Sequence, residues 1–145
     1  MDLQGYKFSK EVESIYVETI NAGPDLELNI EIVDKLPVTG VGAVQETDKE
    51  GNCIIRLDKN YADDCTLSHE LLHCYYARKG YPRLRTLCTE KNIINYFAMQ
   101  TENSIIHKLI CQEQDKRGIE RIRDINDAQT IGTDISTEPV SKEAQ

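Results

Sequence analysis

The sequence predicts an α+β fold: one compact domain with a small, mostly antiparallel sheet, a helix carrying the candidate chemistry and a second long helix. Three observations lead there. Leu26-Glu27-Leu28-Asn29-Ile30-Glu31-Ile32 alternates strictly between apolar and polar residues, the signature of a strand with one buried face. Two short apolar segments, Val41 to Gln45 and Cys53 to Leu57, flank the turn-forming run Asp48-Lys49-Glu50-Gly51-Asn52, which reads as a hairpin. Apolar residues recur at helical spacing in three longer stretches, one before these strands and two after.

In chain order, Ser9 is the first cap signal. It opens a helix to about Asn21, with Val12, Ile15, Tyr16 and Ile20 forming the apolar stripe. Ala22-Gly23-Pro24 ends it. The alternating strand follows, Pro37 and Gly40 break the chain, and the hairpin comes next. Asp63, Asp64 or Thr66 then caps a helix that runs through Tyr75, Tyr76 and Ala77. Leu67, Leu71 and Cys74 supply its inward face at i, i+4 and i+7, and Gly80 with Pro82 supplies its stop. A long helix from about Glu90 to Lys116 stops at Gly118. The stretch from Gly118 to Ile131 has the makings of a further short helix, and the polar residues from Gly132 onward read as a tail. Residues 1–131 are therefore expected to form the domain and 132–145 the tail.

Composition narrows the function classes. Seventeen basic against twenty-five acidic residues give a net charge of −8, which argues against nucleic-acid backbone or an anionic membrane surface as partner. No apolar run approaches the roughly 20 residues that cross a bilayer. Residues Met1 to Lys10 lack the apolar segment of a signal peptide, so the expected location is cytoplasmic. The five cysteines, Cys53, Cys65, Cys74, Cys88 and Cys111, are odd in number and never spaced CxxC. The expectation is reduced thiols acting as small apolar residues.

The second helix carries His69-Glu70-Leu71-Leu72-His73, an HExxH motif. Residues four apart share a helix face, so His69 and His73 can hold one metal ion together. Glu70 lies beside them as a candidate general base, taking a proton from water activated by the metal. The motif also arises as an ordinary amphipathic segment. Its placement in a well-signalled helix after a well-signalled strand favours the chemical reading.

A catalytic zinc has three protein ligands and one open position. The extended pattern HExxHxxGxxH needs glycine where Tyr76 stands and histidine where Lys79 stands, so the third ligand must come from elsewhere. The long helix offers two candidates, Glu102 and His107. Five residues apart, they point about 140° from one another and cannot both complete one site. Glu102 has apolar helix neighbours in Ala98, Ile105, Ile106 and Leu109, where a metal would be a partner for its carboxylate. His107 is the last of the three histidines, and Asn103 shares its face, placed to hydrogen-bond a ligand or a water.

His69-Glu70-Leu71-Leu72-His73, the Lys79-Gly80-Tyr81-Pro82 segment, Asn103 four residues before His107, and Gly118 together resemble a group of small prokaryotic zincins, broadly of the ImmA/IrrE metallopeptidase type. The resemblance covers roughly residues 26 to 118. It departs from that type in lacking a Glu-x-x-Ala-Asn-x-Phe-Ala string on the long helix. The resemblance implies zinc as cofactor, a sheet with an edge strand over the active-site helix, and His107 as third ligand, with Glu102 the alternative.

The expected function is zinc-dependent hydrolysis of a peptide bond, with Glu70 as base and an extended segment of a specific protein partner as substrate. That segment would add along Cys53 to Leu57 or Val41 to Gln45. Tyr75, Tyr76, Tyr81 or an arginine of the Arg78, Arg83, Arg85 region, which with Lys79 makes a local basic patch, would stabilise the oxyanion. The competing class is a non-catalytic zinc-binding interaction or regulatory module.

Overall fold

Residues for which the sequence announces no element form the first hairpin. Strands β1 (Asp2–Leu3) and β2 (Tyr6–Lys7) pair antiparallel across a two-residue turn, Gln4-Gly5. Both turn residues have positive φ, +52° and +87°, as the tightest hairpin turn requires. The Gln4 carboxamide uses this position to donate to the Ile32 carbonyl at 3.2 Å and accept from the Ile32 amide at 2.8 Å. The computed structural model describes residues 1–38, 40–81 and 93–121. Arg83, Arg85, Cys88, the expected first turn of the long helix, the segment after Arg121 and the tail lie outside these.

Helix α1 (Lys10–Asn21) starts where Ser9 predicts, with the Ser9 hydroxyl accepting from the Val12 amide. Val12 and Ile15 are fully buried, joined by Thr19, whose hydroxyl donates back to the Ile15 carbonyl at 2.7 Å. That internal bond lets a polar residue sit in the stripe at little cost.

A three-stranded sheet follows, in the order β3 (Leu28–Val33), β5 (Cys53–Asp58), β4 (Ala43–Thr47). The expected hairpin is β4 and β5, antiparallel, pairing Ala43 with Leu57 through Thr47 with Cys53. Asp48 builds its turn by accepting from the amides of Glu50, Gly51 and Asn52. Strand β3 pairs with β5 in parallel, Leu28 opposite Cys53 through Val33 opposite Asp58. The sheet is thus mixed, correcting the expectation of a mostly antiparallel one. The physical reason lies in β5: Cys53, Ile55 and Leu57 are all fully buried, and the most apolar strand takes the centre, where both its edges are paired. The chain reverses between β3 and β4, so β5, antiparallel to β4, runs with β3.

After one 3₁₀ turn (Lys59–Tyr61), helices α2 (Asp64–Arg78) and α3 (Ile93–Lys116) complete the described chain. The core is the space between α1, α2 and the sheet, filled by Phe8, Val12, Ile15, Ile55, Leu57, Leu67, Leu71 and Leu72, and closed by Ile110 and Ile119 after α3 crosses it. Cys53 and Cys74 meet in this core with Cα atoms 6.4 Å apart and are joined by a disulfide. This corrects the expectation of reduced cysteines: spacing along the chain says nothing about two positions 21 residues apart that β5 and α2 bring within bonding range. No described helix is long and apolar enough to cross a membrane.

Candidate metal centre

Helix α2 is set in place at both ends. Asp63 caps it, its carboxylate accepting from the Thr66 amide at 2.8 Å, and Gly80 ends it at φ +71°, a conformation that favours glycine. Just before that stop, the Arg78 guanidinium donates to three backbone carbonyls: Gly51 at 3.1 Å, Thr19 at 2.7 Å and Glu27 at 2.7 Å. Arg78 therefore ties α2 to the end of α1, the entry to β3 and the β4–β5 turn. Of the residues read as a basic patch, it is a structural clamp, and Lys79 rests its ammonium 5.7 Å from the Tyr75 ring. With the inner face Leu67, Leu71 and Cys74 buried as expected, His69, Glu70 and His73 come to lie on the adjoining, half-buried face.

Helix α3 is docked by its C-terminal half. Gln114, fully buried, donates to the Ser68 hydroxyl at 2.8 Å and to the Cys65 carbonyl at 2.9 Å. Arg117 bridges Glu18 of α1 at 2.6 Å and Glu113 at 2.8 Å. Gly118, at φ +74°, ends the helix as predicted. His107 lies seven residues before Gln114, two helical turns along the same face. Fixing Gln114 against Ser68 thus carries His107 over the residues that follow Ser68.

The result is a three-histidine cluster. Ring centroids are 4.9 Å apart for His69 and His73, 5.0 Å for His69 and His107, and 5.0 Å for His73 and His107. One ring nitrogen from each lies within 4.8 Å of the other two. The Nε2 atoms of His69 and His73 are 3.2 Å apart, close to the about 3.3 Å that two nitrogens at tetrahedral positions 2.0–2.1 Å from one zinc would have. Burial first, and then the neighbouring His69 and His107, push the His73 pKa down from 6.5 to about 3, so this imidazole is held in the neutral form that a metal requires. The donor set therefore fits a divalent ion of borderline softness such as zinc.

A cavity of 540 Å³ adjoins the cluster. Glu70 and His73 line it from α2, Asn103 and His107 from α3, and Gln45 and Thr47 from β4. Gln45 and Thr47, two apart on the strand, share a face and are hydrogen-bonded to one another. Glu102 also lines the cavity but stands outside the group of converging metal-binding atoms, which holds His107. Of the tyrosines considered as oxyanion donors, Tyr81 lines the cavity. Tyr75 and Tyr76 pack against the core, and burial raises the Tyr76 pKa further.

The strand assignments also resolve. Cys53 to Leu57 lies in β5, which is paired on both sides, so no segment can add there. The expectation that β5 could receive a substrate is corrected on that ground. The two edges are β3 and β4. Gln4 already occupies both backbone groups of Ile32 in β3, while β4 borders the cavity.

Ser68, Gln114, Gln45 and Thr47 were missed in the sequence reading. For Gln114 a signal exists: it continues the face Asn103, His107, Ile110 at helical spacing, and a polar residue on a buried face needs a partner. Nothing local marks Gln45 or Thr47. Compared with known proteins, the chain matches no family model, no curated protein and no solved structure.

Proposed function

We propose that this chain is a zinc-dependent metallopeptidase of the zincin type, broadly ImmA/IrrE-like, that hydrolyses a peptide bond in a specific protein partner. The observation that carries the reading is the convergence of His69, His73 and His107 from two helices, with Glu70 opening onto the same cavity. Among the described residues the converging ligands number three, the count of catalytic zinc sites, whereas structural sites are closed with four.

When bound, a zinc ion supplies acidified water and a Lewis acid for the scissile carbonyl. Glu70 accepts the proton from the attacking water on its carboxylate and returns it to the leaving amine. The Tyr81 hydroxyl donates to the oxygen on which negative charge develops. Asn103, on the same helix face as His107, orients the polar groups at the cavity floor. The backbone of β4, from Ala43 to Thr47, offers the substrate a strand edge beside the cavity that no described strand pairs, so the peptide adds in extended form. The small cavity and short edge suit one extended segment better than general digestion.

The test is metal analysis of purified protein together with a peptide-library assay of wild type and Glu70→Gln. One zinc per chain in both proteins is expected, with turnover in wild type lowered by several orders of magnitude in the variant. Stoichiometric zinc without turnover on any peptide would establish the non-catalytic module instead. Zinc loss in Glu70→Gln would remove Glu70 from the role of base.

A further inference from the structure

Tyr81, the proposed oxyanion donor, stands just beyond the end of α2, and the way that helix ends fixes its place. The Gly80 amide donates to the Ala77 carbonyl at 3.2 Å, and the Tyr81 amide donates to the Tyr76 carbonyl at 3.1 Å. These are the two bonds of a Schellman cap, with Gly80 at φ +71° turning the chain. Such a cap brings the residue after the glycine back onto the last turn of the helix. Here the two residues that meet are both tyrosines. The rings of Tyr76 and Tyr81 pack edge to face, with centroids 5.1 Å apart and planes at 70°.

Tyr76 is itself anchored. It is half-buried, packs against the core, and makes a second edge-to-face contact with Tyr75 at 5.4 Å. Tyr81, by contrast, is 39% exposed and lines the cavity. A side chain that exposed exchanges rotamers quickly unless a neighbour holds it. A donor stabilises developing charge best when it is already in place as the charge forms.

We infer that Tyr76 is a positioning residue of this site, which together with the turn at Gly80 holds Tyr81 at the cavity for the reaction. The inference rests on the metallopeptidase reading, in which Tyr81 meets the negative charge that develops on the substrate. Tyr76 is not part of the described cavity lining, so its influence on the reaction passes through Tyr81. A residue that acts only through another loses its effect once that other is removed.

Two measurements on the zinc-loaded protein test this. The first is a double-mutant cycle, run with a peptide that the library assay returns as cleaved. Tyr76→Leu removes the ring and should lower kcat about tenfold, the factor that an edge-to-face pair supplies, with KM and zinc content unchanged. Tyr76→Phe keeps the ring and should rescue most of that loss. In a Tyr81→Phe background, Tyr76→Leu should have no further effect on kcat. Gly80→Ala approaches the same cap from outside the core and keeps the test decisive if Tyr76→Leu unfolds. Its added Cβ meets no atom within 4 Å, so the change strains the turn alone. It too should lower kcat only where Tyr81 is present.

The second measurement needs no turnover. NMR spectra of protein carrying isotope-labelled tyrosine give the Tyr81 ring signals, assigned by their absence from Tyr81→Phe. These signals should move toward those of free tyrosine in Tyr76→Leu and in Gly80→Ala, and less so in Tyr76→Phe. Tyr81 signals that neither variant moves overturn the inference. So does an equal loss of kcat with and without the Tyr81 hydroxyl, which would make Tyr76 an ordinary packing residue. If wild type cleaves no peptide while its Tyr81 signals depend on Tyr76, the hydrolase reading falls and the tyrosine clamp remains.

Discussion

Gln114 on α3 donates to the Ser68 hydroxyl on α2 at 2.8 Å, directly beside His69 in the chain. Both residues are fully buried, and the same carboxamide also reaches the Cys65 carbonyl. The pair sets the register of one helix on the other two turns away from His107. Its loss should therefore act on the metal site at a distance. Gln114→Ala should lower stability by about 1–3 kcal/mol, since it removes two buried hydrogen bonds, to the Ser68 hydroxyl and the Cys65 carbonyl, while the Ser68 hydroxyl keeps its own bond to Cys65. It should also weaken zinc binding although it touches no ligand. Thermal unfolding and zinc titration of the variant check both, and unchanged zinc affinity would show that α3 is positioned by other contacts.

The ligand set can be separated residue by residue. His69→Ala, His73→Ala and His107→Ala should each abolish stoichiometric zinc, because each removes one of three donors. Glu102→Gln should retain it. Elemental analysis after dialysis against a weak chelator distinguishes the four variants. Full zinc in His107→Ala would transfer the third position to Glu102.

Acidification should destabilise the metal-free protein through His73. Burial, with His69 and His107 nearby, holds its folded pKa at about 3, below the 6.5 of the unfolded chain. Below 6.5 the unfolded state takes up a proton that the folded state refuses. The contribution of this group to stability is fully present above about pH 6.5 and is lost as pH falls toward 3. Denaturant midpoints measured from pH 7 to pH 4 should fall, and His73→Asn should flatten the slope. An equal slope in the variant would place the acid sensitivity elsewhere.

Arg78 should prove structural. Its three bonds to the carbonyls of Gly51, Thr19 and Glu27 join parts of the chain that no other single side chain in the described residues links in this way. Arg78→Ala should cost on the order of 2–4 kcal/mol, because three charge-assisted bonds are lost together. Arg78→Lys should recover only part of it, since an ammonium lacks the planar fork. Urea unfolding of the two variants gives the comparison. A cost within 0.5 kcal/mol, about that of an ordinary surface substitution, would return Arg78 to the solvated patch.

What was legible in the sequence is what neighbouring residues decide among themselves. Ser9 and Asp63 cap helices because a side-chain oxygen reaches an amide three residues on. Gly80 and Gly118 end helices because they take positive φ without strain. His69, Glu70 and His73 share a face because a helix turns once in 3.6 residues. The β4–β5 hairpin follows from its Asp48 turn. Only the tertiary structure decided the rest. It grouped His107 with the α2 histidines, a choice made by Ile110, Gln114 and Arg117 docking α3. It placed β5 at the sheet centre and in parallel with β3, which left β4 as the edge beside the cavity. It brought Cys53 to Cys74, and it turned Arg78 from a surface charge into a clamp. Each of these depends on burying apolar faces between segments far apart in the chain, and such contacts carry no fixed spacing by which a sequence can announce them.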